Sequence, residues 1–235
     1  MNRKKGISAL ALKWIAIISM LIDHIGYALA GTVPFLVWKS MRIVGRLAFP
    51  IFCFLLVEGF FHTKNVKNYL IRLGVFALIS EIPFDFFLRG RFLYMDYQNV
   101  FFTLFIGLLL LYLYNRFLAN VQPVYAIMTL VSMLCLAFIV KCDYGAEGVL
   151  IIYLFYLFRF RPVPKYISVG LVLCLMGDIE PFAILALLPI AFYNGKKDGR
   201  EGDSSGRKSV NKYFFYCFYP LHLAILGIVS YLLAG

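Results

Sequence analysis

The chain has 235 residues, of which 62% are apolar, 18% are aromatic and only 15% are charged. Because a soluble globular domain averages roughly 45 to 50% apolar residues, this composition excludes an ordinary water-soluble fold and indicates an integral membrane protein. The formal net charge of +11 is dispersed along the chain and forms no single basic segment, so it does not indicate nucleic-acid binding.

Nine stretches of the sequence are predicted to form membrane-spanning helices, because each has roughly the apolar length that a crossing needs. In chain order they cover residues 7–30, 45–61, 69–88, 100–118, 124–140, 145–159, 163–177, 181–193 and 213–233. The last three before the final span are short for a perpendicular crossing, so the expected count is eight to ten. We therefore expect an all-α polytopic membrane bundle, a single membrane-embedded domain over residues 1–235.

Two segments between the spans have a different composition. Residues 32–44 contain Trp38, Lys39 and Arg42, and an amphipathic ring next to cations is typical of the membrane–water interface. Residues 194–212 are polar and glycine-rich, which is typical of a flexible linker.

Lysine and arginine residues between the spans indicate the orientation, because cytoplasmic loops carry an excess of both. With a cytoplasmic amino terminus, the outer loops hold Lys39, Arg42, Arg89, Arg91 and Lys141. The inner loops then hold three times as many, namely Arg3, Lys4, Lys5, Lys64, Lys67, Arg116, Arg159, Arg161, Lys165, Lys196, Lys197, Arg200, Arg207, Lys208 and Lys212. We expect a multi-pass protein of the cytoplasmic membrane, in contact with membrane lipid.

The first apolar segment has two features of a signal peptide, a positive start and the small residues Ala28 and Ala30. It is too long for one and is interrupted by Lys13, so we expect an uncleaved helix. The cysteines are scattered without metal-like spacing, and we expect neither a disulfide nor a metal site at Cys53, Cys135, Cys142, Cys174 and Cys217.

Polar residues in or beside the spans separate by side of the membrane. Toward the outer face lie Asp23, His24, Arg42, Arg46, Glu81, Asp85, Asn99, Thr103, Asp143 and Glu147. Toward the inner face lie Lys13, Glu58, His62, Lys64, Lys67 and Arg72, with His222 near mid-depth. Because polar groups from several helices cannot all face lipid, we expect the outer set to line one cavity that opens outward.

Five pairs of these residues recur four positions apart, which on a helix stacks both side chains on one face. They are Arg42 with Arg46, Glu58 with His62, Glu81 with Asp85, Asn99 with Thr103, and Asp143 with Glu147. Such pairs either join neighbouring helices by hydrogen bonds or mark a functional site.

His24 is the strongest candidate for chemistry, because imidazole titrates near neutrality and is the usual general base. Asp23 precedes it directly, but helix neighbours point about 100° apart, so Asp23 cannot orient the ring. A partner for His24 should come from another helix. Asp85, Glu81 and Asp143 are the candidates, and Arg46 would neutralise the acid that remains.

Between about residues 10 and 230 the chain contains, in order, the blocks LKWIAIISMLIDHIGYAL, RIVGRLAFPIFCFLLVEGF, EIPFDF, NVFFTLFIGLLL, DYGAEGVLII and FFYCFYPLHLAIL. These blocks and their order resemble the TraX family, known from acetylation of the amino terminus of conjugative pilin subunits. More distantly, a first helix ending in His and an Arg before an apolar FPIF helix resemble the integral-membrane acyltransferases of extracytoplasmic sugars.

The resemblance implies transfer of an acetyl group from cytosolic acetyl-CoA to an amine or hydroxyl at the outer face, on a pilin amino terminus or a surface glycan. It implies that His24 is the histidine of the first helix and Arg46 the basic residue that opens the next. Residues matching the TraX blocks without a transferable role are Asp23, Glu58, Asp85, Asn99, Asp143 and His222.

A mechanism for such a transfer assigns the candidate residues to three groups. His24 would deprotonate the acceptor or carry the acetyl group, with Arg46 or Asn99 stabilising the oxyanion. The catalytic set is His24, Arg46, Asp85 and Asp23, and the acceptor-binding set is Glu81, Asn99, Asp143 and His222. The phosphates of acetyl-CoA would meet the inner cations Lys13, Lys64, Lys67 and Arg72.

Two other classes of function remain open from the sequence. A proton-coupled transporter or flippase also places acids and histidines within spans, although such proteins often show repeated halves and we find no internal repeat. A non-catalytic assembly factor of the membrane is the third interpretation.

Overall fold

The computed structural model of the chain describes residues 6–195 and 205–234, and regular secondary structure there is helical. The α-helices are α1 Ala9–Ala28, α2 Phe35–Gly45, α3 Ala48–His62, α4 Val66–Arg89, α5 Val100–Ala119, α6 Pro123–Val140, α7 Gly145–Leu157, α8 Pro162–Leu175, α9 Leu187–Ala191 and α10 Ser205–Ala234. A 3-10 helix, Glu180–Ala186, leads into α9. β-Pairing in the described residues is limited to isolated bridges, Ile7 with Tyr193 and Gln98 with Cys142.

Each of the nine predicted spans overlaps a helix, which confirms the helical membrane bundle. In the part of the chain that the structure describes, five helices are long and apolar enough to cross a membrane, and they cover Ala9–Ala28, Phe35–His62, Val100–Ala119, Pro123–Val140 and Tyr213–Leu232. Three further apolar helices are shorter, Gly145–Leu157, Pro162–Leu175 and Glu180–Ala191. Helix α4 covers the predicted span 69–88 and is less apolar because it carries Lys67, Arg72, Glu81, Asp85 and Arg89.

The two segments predicted to lie outside the spans both contain helix. Most of residues 32–44 lies in α2, which together with α3 makes an apolar helical segment, Phe35–His62, broken only by a turn at residues 46–47. Helix α10 begins at Ser205, within the predicted linker 194–212. The predicted inner cations Arg3, Lys4, Lys5, Lys196, Lys197 and Arg200 lie outside the described residues, as do the side chains of Arg207, Lys208 and Lys212.

The chain divides into two compact units, Met1–Leu55 with Leu173–Gly235, and Leu56–Val172. In the first unit α1 packs against α2 and α10, and α2 also contacts the 3-10 helix. The buried face of α1 recurs every three or four residues, at Leu12, Ala16, Met20 and Asp23, as a one-sided helix should. Asp23 therefore lies on the face of α1 that is buried.

The second unit is built around α5, which packs against α4, α6 and α7. Leu108, Leu110 and Leu111 on α5 are completely buried. Gly107 makes the contact with α7 possible, because a Cβ atom there would overlap with the side chain of Ile152. A glycine inside a helix costs roughly 0.5–1 kcal/mol relative to alanine, and here the cost is offset by closer packing.

Polar side chains cap the amino-terminal ends of several helices. Ser8 accepts a hydrogen bond from the backbone N–H of Ala11 at the start of α1, and Asn65 does so from Asn68 at the start of α4. Such caps satisfy backbone donors that have no partner within the helix. Of the cysteines, Cys53 and Cys142 are buried, and burial raises the pKa of the Cys142 thiol, which lies between α6 and α7.

Candidate functional site

His24 is paired with a histidine from the other end of the chain. Nδ1 of His24 lies 2.6 Å from Nε2 of His222, a residue 198 positions later. The two rings are inclined by 21°, with centroids 4.9 Å apart. His24 thus has a ring partner on another helix, as the sequence reasoning required, and that partner is a residue assigned there to acceptor binding.

The expected partners of His24 have other contacts. Asp85, Glu81 and Asp143 belong to the second unit, whereas His24 and His222 both belong to the first. The outer polar set that was expected to line one cavity is likewise divided, with Asp23, His24, Arg42 and Arg46 in the first unit and the others in the second.

Asp23 forms a charge cluster with two arginines and a glutamate. Oδ2 of Asp23 lies 2.8 Å from Nη1 of Arg42 and 2.7 Å from Nη2 of Arg46. Nη1 of Arg46 lies 2.5 Å from Oε1 of Glu180. The four side chains are between 10% and 17% exposed, and their charges sum to zero. Asp23 therefore neutralises arginines on α2 and just after it.

Glu180 is the member of this cluster that the sequence reasoning missed. It opens the 3-10 helix and is separated from Arg46 by 134 residues. A carboxylate at the edge of an apolar segment was the available signal, since buried acids need a cation. That this cation is Arg46 follows only from the tertiary structure, because the two residues are far apart in the sequence.

The cluster needs a glycine beside it. A Cβ atom at Gly45 would overlap with Cβ, Cγ and Oδ1 of Asp23. Gly45 is buried at the end of α2, one residue before Arg46. The absence of a side chain at position 45 is what allows the Asp23 carboxylate to approach α2.

In the second unit, Glu81 and Asn99 form a buried hydrogen-bonded pair. Oε2 of Glu81 accepts bonds from the side-chain amide and, at 3.3 Å, from the backbone N–H of Asn99. The same amide donates to the carbonyl of Ala77, and its Oδ1 caps α5 by accepting from Phe101. Both donors of the Asn99 amide are engaged within the unit, so we do not retain Asn99 as an oxyanion ligand.

Asp85 and Asp143 hold loops. Oδ2 of Asp85 accepts a hydrogen bond from the backbone N–H of Tyr94 at 2.6 Å, which folds the segment after α4 back onto the helix. Asp143 lies before α7 and accepts from the hydroxyl of Tyr97 at 2.7 Å, while its carbonyl accepts from Thr103. The spacing of Asp143 and Glu147 is therefore not a helical one, because α7 begins at Gly145.

The inner cations that were expected to bind phosphate belong to different units of the chain. Lys64 and Lys67 are exposed around the start of α4, and the guanidinium of Arg72 lies 5.6 Å from the ring centroid of Tyr69. These three belong to the second unit. Lys13 belongs to the first, with its ammonium 5.3 Å from the ring centroid of Phe215.

Glu58 and His62 share α3 as predicted, but only Glu58 is half-buried. Its carboxylate accepts bonds from Nε and Nη2 of Arg159, at 2.9 and 3.3 Å. This bidentate pair joins α3 to the turn that follows α7, which agrees with a packing role. His62 is exposed at the end of α3. Among the described residues, no group of three or more His, Cys, Asp or Glu side chains could hold a metal ion.

Comparison with known proteins gives the family of the chain. The sequence model of the family described as TraX protein matches residues 8–230. The chain belongs to the TraX family. The match extends over both compact units of this TraX-family chain and confirms the resemblance carried by its sequence blocks.

Two curated proteins illustrate the relatives of this TraX-family chain. It is 34% identical to a "Probable fimbrial assembly protein FimC, serogroup H1" of Dichelobacter nodosus, over 96% of this chain and 97% of that protein. It is also 38% identical to an uncharacterized protein of Rickettsia prowazekii (strain Madrid E), over 37% of this chain and 32% of the other. No solved structure matches the TraX-family chain significantly.

Proposed function

We propose that this TraX-family chain is a membrane-embedded acetyltransferase that acts in pilus or fimbrial assembly. It would move an acetyl group from cytosolic acetyl-CoA to an amine or hydroxyl at the extracytoplasmic face. The full-length relative named as a fimbrial assembly protein favours a pilin-type acceptor over a surface glycan.

The observation that carries the proposal is the hydrogen-bonded pair of His24 and His222. A histidine within a membrane-spanning helix is expensive and marks a functional site by default. A ring whose one nitrogen is held by a partner on another helix is oriented, and an oriented imidazole is the common element of general bases and nucleophile activators. Asp23 directly precedes His24 on α1, and its ion pairs with Arg42 and Arg46 hold this part of α1 in place. Glu180 completes the neutral cluster by pairing with Arg46.

The proposed transfer passes one proton from the acceptor through His24 to CoA. The lone pair of the acceptor nitrogen or oxygen attacks the carbonyl carbon of the acetyl thioester, while His24 takes the proton of the acceptor. The tetrahedral intermediate then collapses, the carbon–sulfur bond breaks, and the imidazolium returns the proton to the thiolate of CoA. Arg46 has both terminal nitrogens on carboxylates, and we assign it to holding Asp23 and Glu180 in place.

Lys64, Lys67 and Arg72 are our candidates for the phosphates of acetyl-CoA. Two of these cations are exposed around the amino-terminal end of α4, where the helix dipole also favours negative charge. Lys64→Gln and Lys67→Gln together should raise the KM for acetyl-CoA without changing kcat. An unchanged KM would remove these lysines from the proposal.

The test of the activity uses purified protein in lipid nanodiscs, radiolabelled acetyl-CoA, and envelope fractions from cells that lack the gene as the source of acceptor. General-base catalysis typically contributes 10²–10⁴-fold, so His24→Ala should reduce transfer by roughly 10²-fold or more. The matched control is His62→Ala, which removes an exposed histidine at the end of α3 and should leave transfer unchanged.

Three outcomes would contradict the proposal in different ways. Near-normal transfer by folded His24→Ala would remove His24 as the base. Absence of transfer by the unmodified protein would remove the acetyltransferase activity. Proton-coupled uptake by proteoliposomes in the absence of acyl-CoA would favour the transporter class instead.

A further inference from the structure

His222 has both ring nitrogens engaged within the first unit. Its Nδ1 lies 2.7 Å from the carbonyl oxygen of Phe218, one turn earlier on α10, and its Nε2 lies 2.6 Å from Nδ1 of His24. The side chain is buried, with 6% of the residue exposed. The ring of Phe218 stacks on it at 4.8 Å between centroids, and Tyr219 meets it edge-on at 5.7 Å.

These contacts determine where the protons are. A carbonyl oxygen can only accept, so the proton between Phe218 and His222 belongs to Nδ1 of His222. A neutral imidazole carries one N–H, so Nε2 of His222 is an acceptor. The proton between the two rings therefore belongs to Nδ1 of His24, which places the lone pair of neutral His24 on its Nε2.

We infer that His222 is a positioning residue that fixes His24 in the Nδ1–H tautomer and so makes Nε2 of His24 the proton-accepting atom. This inference rests on the proposed function for its catalytic meaning, but the tautomer itself is a property of the resting protein. The chain of hydrogen bonds runs from His24 through His222 to the carbonyl oxygen of Phe218. Because that oxygen can only accept, each ring donates toward Phe218.

The assignment replaces the expectation that His222 binds the acceptor. Both hydrogen-bonding atoms of its ring are already used, so a substrate could bind to it only by breaking the contact with His24 or Phe218. In histidines generally, the hydrogen bond made by one ring nitrogen decides whether the other ring nitrogen carries a proton. Such supporting contacts commonly contribute 10- to 100-fold, as they do at metal-bound histidines.

The first test measures the tautomer without reference to activity. The full chain is labelled with ¹⁵N-histidine, reconstituted in nanodiscs, and observed by NMR, with the signals of the three histidines assigned by His24→Ala and His62→Ala. We expect protonated Nδ1 and unprotonated Nε2 for His24 in the unmodified protein. A protonated Nε2 in neutral His24 would overturn the inference, whatever the activity of the protein.

The second test uses two variants at position 222. His222→Gln keeps a carboxamide oxygen at the same number of bonds from the backbone as Nε2, so it can still accept from His24, whereas His222→Leu cannot. We expect His222→Leu to lower kcat roughly 10- to 100-fold with little change in KM, and His222→Gln to restore a large part of kcat. A raised KM with unchanged kcat in both variants would return His222 to the acceptor-binding role and overturn the inference.

The two tests separate this inference from the proposed function. If the NMR signals show the Nδ1–H tautomer and the unmodified protein transfers no acetyl group, the proposed function is wrong and the tautomer assignment stands. If transfer occurs and depends on His24, but His24 carries its proton on Nε2, the proposed function stands and the role of His222 is wrong.

Discussion

Gly45 lies so close to Asp23 that a side chain at position 45 would occupy the space of the Asp23 carboxylate. Gly45→Ala should therefore displace Asp23 from Arg42 and Arg46 or move α2 away from α1. Added volume in a packed interior typically costs about 1–3 kcal/mol, and here a charge cluster is disturbed as well. The measurement is the thermal unfolding midpoint of the detergent-solubilised protein, which should fall.

Gly74→Ala is the matched control for that substitution. Gly74 lies in the middle of α4, and a Cβ atom there would meet only the side chain of Phe105, at ordinary van der Waals distances of 3.4 and 3.6 Å. Replacing a helical glycine with alanine without a clash stabilises by roughly 0.4–1 kcal/mol. Equal effects of the two substitutions would contradict the close approach of Asp23 to α2.

Asp23→Asn should be strongly destabilising. It removes one of the two negative charges that neutralise Arg42 and Arg46, and the side chains involved are largely buried. Removing one partner of a buried ion pair costs about 3–5 kcal/mol, because the remaining charge is left uncompensated. Glu180→Gln should act in the same direction, which thermal unfolding of both variants would measure.

The comparison for Asp23→Asn is Asp96→Asn. Asp96 pairs with Lys141 at 3.2 Å, but the two side chains are 65% and 59% exposed. Exposed pairs contribute about 0–1 kcal/mol, so this substitution should leave the unfolding midpoint nearly unchanged. If the two aspartates gave the same small effect, the cluster around Asp23 would not be a buried network.

Asn99→Ala should cost more stability than Asn65→Ala, although both residues cap a helix. Loss of a cap typically costs about 0.5–2 kcal/mol. Asn65 is exposed and caps α4 only, whereas Asn99 is fully buried and also supplies donors to the carboxylate of Glu81. An unsatisfied buried acceptor adds about 1–3 kcal/mol, so unfolding midpoints should rank Asn65→Ala above Asn99→Ala. The reverse order would contradict the structural role of Asn99.

The orientation in the membrane can be checked with a pair of exposed positions. Thr32 between α1 and α2 and Lys64 between α3 and α4 are both exposed, and a cytoplasmic amino terminus predicts that they face opposite sides. In a background without native cysteines, Thr32→Cys should react with a membrane-impermeant maleimide added to whole cells, while Lys64→Cys should react only after permeabilisation. The opposite labelling would reverse the orientation.

Helix positions were predictable because the bilayer simplifies the problem. Backbone groups in hydrocarbon have to be satisfied within the segment, so an apolar run of sufficient length can only be a helix. Helices α5 and α6, for example, begin and end within a residue of the predicted spans. The prediction for 181–193 was less exact, since that stretch is divided between a 3-10 helix, Glu180–Ala186, and the short helix α9.

The spacing of four predicted a shared helix face where the chain is helical between the two residues. Glu58 and His62 share α3, and Glu81 and Asp85 share α4. Asp143 and Glu147 fail because the chain turns between them, with Tyr144 at a positive φ of 63° just before α7. A turn in an unusual backbone conformation leaves little trace in a single sequence when the residue is not glycine.

The sequence by itself determined that this is a helical membrane protein of the TraX family and that His24 and Asp23 lie on separate faces of α1. Apolar composition and the angle between neighbouring side chains on a helix are local properties, so they follow from the sequence without knowledge of the tertiary structure. Only the tertiary structure decided that His24 meets His222 and that Arg46 meets both Asp23 and Glu180, because these pairs are 198, 23 and 134 residues apart. Many cations and acids satisfy the same pairing rules, and the packing of helices selects among them.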